Sequence, residues 1–120
     1  SRSGTAIINM LGLAGTGYGA MSGQWEAILL SALGGYGLAY VLSRPAYASA
    51  VTGWMKVRAA IVESGMTPVL SRRYDQAITS LANAANADPI GGHLLTNLIS
   101  TLMREKQQLP KAKPAREGSR

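Results

Sequence analysis

Residues 4–43 read GTAIINMLGLAGTGYGAMSGQWEAILLSALGGYGLAYVLS, and this stretch decides the fold class. Its only residue charged at neutral pH is Glu26. Small residues recur through it at one interval: Gly15, Gly19, Gly23, Ala27, Ser31, Gly35, Ala39 and Ser43 stand four apart. On an α-helix, residues four apart lie one above another. A face of glycine, alanine and serine lets a second backbone come close, which is how helices associate in lipid without a hydrophobic drive between them. In a chain this rich in Gly and Ala some coincidences are expected, but eight consecutive hits form a pattern. The pattern is a helix-contact device with no catalytic group in it.

Two apolar helices follow from the same residues. Thr5 to Met21 reads as the first, Ser22-Gly23-Gln24 as the turn, and Trp25 to Leu42 as the second. Glycine disfavours an isolated helix in water. In lipid an unbonded backbone is costlier still, so a Gly-rich segment stays helical there. Trp25 and Tyr40 lie near the ends of the second helix, where aromatic rings suit a membrane interface. Ala27 to Leu42 spans about 24 Å at about 1.5 Å per residue, short of a hydrocarbon core of about 30 Å. Spanning would therefore hold Glu26 at the interface or pair it inside an oligomer. A hairpin would place Arg2 and Arg44 on one side, with the basic remainder of the chain.

Downstream the pattern changes to short amphipathic helices. Arg44-Pro45 closes the apolar region, because the residue before proline avoids the helical basin and proline suits a first turn. Ala46 to Ser64 gathers Tyr47, Val51, Trp54, Ile61 and Val62 on one face, with Ser49, Lys56 and Glu63 away from it. Gly65 fits a C-terminal stop. Met66 to Leu70 reads as a connector. Ser71 is the expected cap of a helix through Ala84, with Tyr74, Ala77, Ile78 and Leu81 inward and residues 83–86 fraying. Asp88 then caps, Pro89 takes the first helical position, and Ile90, Leu94, Leu98 and Leu102 form a stripe. Arg104 and Lys106 sit where the helix dipole favours cations. The tail LPKAKPAREGSR is expected to be disordered when free. The expected fold is all-α: an apolar helical hairpin over 1–43, an amphipathic helical region over 44–108 and a basic tail over 109–120.

Composition limits the function classes. The chain has 120 residues, a net charge of +6, no Cys and no Phe, and 14 Gly. Such small side chains give a lone soluble core little volume, so partners or a bilayer are expected to supply the rest. Without Cys there are no disulfides, thiolate metal sites or cysteine nucleophiles. His93 is the only histidine and no metal-ligand cluster surrounds it, so no cofactor or metal is expected. Gly15 to Gly19 lacks the Gly-Lys-Ser/Thr and the preceding strand of a phosphate loop. The serines have no positioned base. A non-enzymatic protein is expected. Ser1 in place of an initiating Met reads as the edge of a processed or partial chain, and no secretory signal is evident.

The basic balance favours anionic partners. Arg72 and Arg73 offer phosphate contacts, and the tail adds Lys111, Lys113 and Arg116 for electrostatic binding without base readout. Against this, paired arginines at a helix start are commonly plain surface. Trp54, with Lys56 and Arg58, suits an interfacial helix, but it also suits the anchor of a core, and the latter is preferred.

One resemblance adds to these readings. The run GGYGLAYVLSRPAYASAVTGWMKVRAAI (Gly34 to Ile61), an apolar stretch, then Ser-Arg-Pro, then a helix with a central Trp, resembles regions of large bacteriophage internal virion proteins of the ejection and tape-measure type. It covers about half the chain and is compositional, with no residue-level motif to transfer. It implies a subunit packaged in the particle interior that leaves with the genome and helps to form a conduit across the host envelope, the apolar hairpin entering or lining a membrane channel. Three functions are weighed: a helical subunit of such an assembly, oligomeric or with other subunits; a stand-alone holin-like or pore-forming membrane protein; and a soluble basic module that binds nucleic acid.

Overall fold

The computed structural model describes residues 24–112. The first arm of the expected hairpin, with Gly15, Gly19 and Gly23, lies outside the described residues, as do Lys113 and Arg116. The described part is all-helical: α1 (Gln24–Leu42), α2 (Pro45–Ser64), α3 (Pro68–Asn86), a 3-10 turn (Gly92–Leu94) and α4 (Leu95–Gln108). Each helix packs on the next and α4 returns to α1, closing a four-helix ring around one core.

The long-range side-chain contacts show that successive helices run antiparallel. Tyr47 at the start of α2 reaches Ala84 and Asp88 at the end of α3. Tyr74 near the start of α3 reaches Leu102 and Glu105 near the end of α4. Arg58, late in α2, reaches both Gln24 and Glu105. The bundle therefore has two polar ends, one built on Asp88 and the other on Arg58–Glu105, with apolar layers between.

The core is carried by Trp25, Leu29, Val41, Tyr47, Val51, Trp54, Ile61, Tyr74, Leu81, Leu95, Leu98 and Leu102, all nearly or fully inaccessible. Burying a large apolar side chain contributes about 1.5–3 kcal/mol each, so α1 is bound to the bundle by Trp25, Leu29 and Val41 rather than by its turn to α2 alone. Ser43 is a turn, not a gap in the packing: α1 shares the core of the other three helices.

α2 matches its sequence signals. Pro45 sits in its first turn, and Gly65 ends it with a φ of 91° and an N–H donated to the Ile61 carbonyl. A side chain at Gly65 would also meet the backbone of Ala112 at 2.6 Å, so glycine is required there twice over. Of the expected inner face, Val62 is instead 44% exposed.

Three local expectations are corrected. α3 begins at Pro68, capped by Thr67, whose side chain accepts the Leu70 N–H; Ser71 lies inside the helix. Residues 83–86 do not fray but complete α3. Asp88 caps only a turn, its Oδ1 accepting the N–H groups of Ile90 and Gly91, and the regular helix waits until Leu95. Ile90 is consequently 74% exposed, and the buried stripe of α4 is Leu95, Leu98 and Leu102. The tail also departs from expectation at its start. Leu109 is buried, and residues 110–112 run beside Met66 through Met66 N–H to Pro110 O (2.8 Å) and Ala112 N–H to Met66 O (3.2 Å).

Candidate interaction surface

α1 is where the sequence places the contact surface. It is apolar, and at 19 residues it is long enough to cross a membrane by length and composition. Inside the bundle its inward face is Trp25, Glu26, Leu29, Gly37, Leu38, Val41 and Leu42, so Glu26, expected at a membrane interface or in an oligomer contact, is buried within the described fold. Ala27, Ser31, Gly35 and Ala39 are all exposed. The small residues therefore do not pack the bundle; they lie on the surface it leaves uncovered, next to Tyr36, which is 79% exposed.

The spacing does not lie on one continuous helix. Gly34 takes φ 72° and ψ 172°, which breaks α1 between Leu33 and Gly35. Ala27 and Ser31 belong to the first segment and Gly35 and Ala39 to the second. Only glycine adopts this conformation without strain. The four-residue rule assumes an unbroken helix, and the Gly-Gly pair that extends the stripe also interrupts it.

The aromatic residues assigned to an interface are placed differently. Trp25 and Trp54 are core residues, 2% and 0% exposed. Neither presents its ring to a surface in this fold, because each is enclosed by the neighbouring helices. Tyr40 is half-buried: its hydroxyl donates to Asp88 Oδ2 at 2.9 Å and the Arg44 guanidinium lies 4.4 Å over its ring.

Two polar clusters close the bundle's ends. Asp88 Oδ2 accepts the hydroxyls of Tyr40 and Tyr47, both at 2.9 Å, while Oδ1 accepts two backbone N–H groups. The Gly91 N–H, with the two tyrosines and Ile90, lowers the Asp88 carboxyl to about 2, against an opposing desolvation. Burial, and then the bond to Asp88, pushes the Tyr47 phenol up to about 12. At the other end Arg58 Nε meets Glu105 Oε2 at 2.6 Å and Arg58 Nη2 donates to Gln24 at 3.1 Å. Tyr74 donates to Glu105 Oε1 at 2.6 Å. Burial raises the Tyr74 phenol far above its usual range, the carboxylate of Glu105 adds to the rise, and Trp54 opposes it. Both clusters are internally satisfied and act as structural ties.

These ties escaped the sequence reading. A signal for one of them exists: Arg58 follows Trp54 by four residues on an inward face, and Glu105 follows Leu102 by three on another. Opposite charges at core-facing positions of two helices are candidates for a buried pair.

Arg72 and Arg73 are exposed on α3, and Lys111 is exposed on the segment beside Met66. His93 is exposed in the 3-10 turn, and among the described residues no group of three or more His, Asp or Glu could hold a metal ion. No protein family, curated protein or solved structure matches this chain.

Proposed function

We propose that this protein is a non-enzymatic helical subunit of a larger assembly, of the virion type, packing through the outer face of α1 against copies of itself or a bilayer. In that setting it resides in the particle interior and then in the host envelope, where the apolar helices contribute to a genome-ejection conduit. The observation that carries this reading is the exposed, uncharged face of Ala27, Ser31, Gly35, Tyr36 and Ala39 on a helix apolar enough to cross a membrane. A surface of small residues admits a second backbone at close range.

Flotation of the full chain on liposomes, beside light scattering in buffer, tests it. Flotation that survives high salt supports insertion, and a defined oligomer in buffer supports protein packing. A monomer that stays with the soluble fraction overturns the proposal. Gly35→Leu refines the test, since Gly35 is exposed and a Cβ there meets nothing within 4 Å in the monomer, which leaves a partner as the surface the larger side chain would disturb.

A further inference from the structure

We propose that the end of the bundle where the segment 109–112 meets the α2–α3 connection is a docking surface for the phosphodiester backbone of nucleic acid, with Lys56, Arg72, Arg73 and Lys111 as its phosphate contacts. The inference does not depend on the assembly or membrane reading of α1.

Three elements bring these cations together. α2 and α3 leave between them an open groove of about 630 Å3, lined by Gly53 and Ser49 on one side and Arg73, Gln76, Ser80 and Asn83 on the other. No Asp or Glu lines it. Lys56 is one turn beyond Gly53 on α2, about 12 Å before the helix ends, and Arg72 and Arg73 lie about 6–8 Å into α3. The third element is the backbone ladder between residues 110–112 and Met66, which fixes Lys111 at the same end.

The other described cations are engaged within the fold: Arg58 pairs with Glu105 and Lys106 with Asp75, Arg104 donates to Thr101, and Arg44 lies over the Tyr40 ring. Lys56, Arg72, Arg73 and Lys111 have no carboxylate or hydrogen-bond partner among the described residues. Glu63 and Asp75 are the exposed carboxylates near this end, Asp75 already paired with Lys106, and the four cations outweigh them. A concentration of unpaired cations beside an acid-free groove draws a polyanion. The groove lining supplies hydroxyl and amide groups of the kind that bond phosphate oxygens. The groove offers no aromatic or large aliphatic side chain to enter an acyl layer. The large exposed apolar residues of α2 and α3 at this end are two valines, Val62 and Val69, with no exposed aromatic ring beside them among the described residues, which favours a nucleic acid over a lipid surface. The contacts assigned are to phosphate, which carries no sequence information, so the binding is expected to be independent of sequence.

The test is fluorescence anisotropy of the full chain with a random-sequence 30-base-pair DNA duplex over a salt series, with phosphatidylglycerol vesicles as a second arm. Each lost phosphate contact reduces the salt slope by about 0.9 and the affinity near 0.15 M salt by about fivefold. Arg73→Gln is expected to show that loss, and the triple variant K56Q/R72Q/R73Q a loss of about a hundredfold. Arg104→Gln, on α4 beside α1 and outside this groove, removes the same charge and is expected to change affinity less than twofold. Circular dichroism confirms that each exposed substitution leaves the helices intact. Equal losses for Arg73→Gln and Arg104→Gln would show only a net-charge effect and overturn the site. So would an unchanged triple variant, or binding to vesicles without binding to DNA.

Discussion

Tyr47 donates its hydroxyl to Asp88 Oδ2 at 2.9 Å, tying the first turn of α2 to the connection that follows α3. The bond favours the charged carboxylate and, with the backbone N–H of Gly91, holds Asp88 near 2. A depressed carboxyl contributes stability that is complete above its ordinary value and is lost as pH falls through the folded one. The native chain should therefore lose thermal stability as pH drops from about 4 to about 2. Asp88→Asn should be less stable at pH 7 and show a flatter dependence across that window. Thermal melts at pH 7, 4, 3 and 2 decide it: parallel curves for the two proteins would mean that Asp88 is not the linked group.

The opposite end depends on a buried ion pair. Removing one partner leaves the other charge buried, which costs about 3–5 kcal/mol, whereas replacing both with apolar groups is often neutral. Arg58→Met alone should thus be strongly destabilising, because Glu105 keeps its charge beside Tyr74. The double variant Arg58→Met/Glu105→Leu should recover much of the loss. Urea titrations of the two single variants and the double one form the cycle, and strictly additive losses would refute the coupling.

How much of this was legible depended on how far apart the deciding residues lie. α2 could be read because Pro45, the apolar spacing and Gly65 are all local signals. α3 carries an equally local one, Thr67 before Pro68, but Pro68 in a connector reading concealed a proline in the first helical turn. Asp88-Pro89 is a sound start signal, yet Gly91 and Gly92 follow, and their neighbours are distant: a side chain at Gly91 would enter the Tyr40 ring, and one at Gly92 the Ala85 carbonyl. Close approach, not propensity, postpones α4. On α1 the spacing of small residues was visible, but which side faces the core was decided by where Trp25, Leu29 and Val41 find partners on other helices.

The buried phenols make an alkaline prediction. A group whose folded value is raised contributes stability that is complete below its unfolded value and is lost as pH climbs through the folded one. Tyr47, pushed up to about 12, should therefore destabilise the fold between about pH 10 and 12, and Tyr74 acts in the same direction. Tyr74→Phe removes bonds to the Leu102 carbonyl and Glu105, at a cost of about 1–3 kcal/mol at neutral pH, and should flatten the alkaline slope. Ultraviolet titration of phenolate formation measures both. Tyrosines that all ionise near 10 without unfolding would contradict the burial described.

Glycines on the two kinds of surface should respond in opposite ways. At Gly35 an added methyl meets nothing, and replacing a helical glycine with alanine stabilises by about 0.5–1 kcal/mol. Gly35→Ala should thus raise the melting temperature of the isolated chain. Gly91→Ala should lower it, because the new methyl forces the Tyr40 ring away and breaks its bond to Asp88. If α1 also packs on a partner through its outer face, the gain at Gly35 becomes a loss of assembly when the residue grows to leucine. Melting curves for Gly35→Ala and Gly91→Ala, with light scattering for Gly35→Leu, separate the two roles. A Gly35→Leu chain that melts high and still assembles would remove the outer face of α1 from the contact.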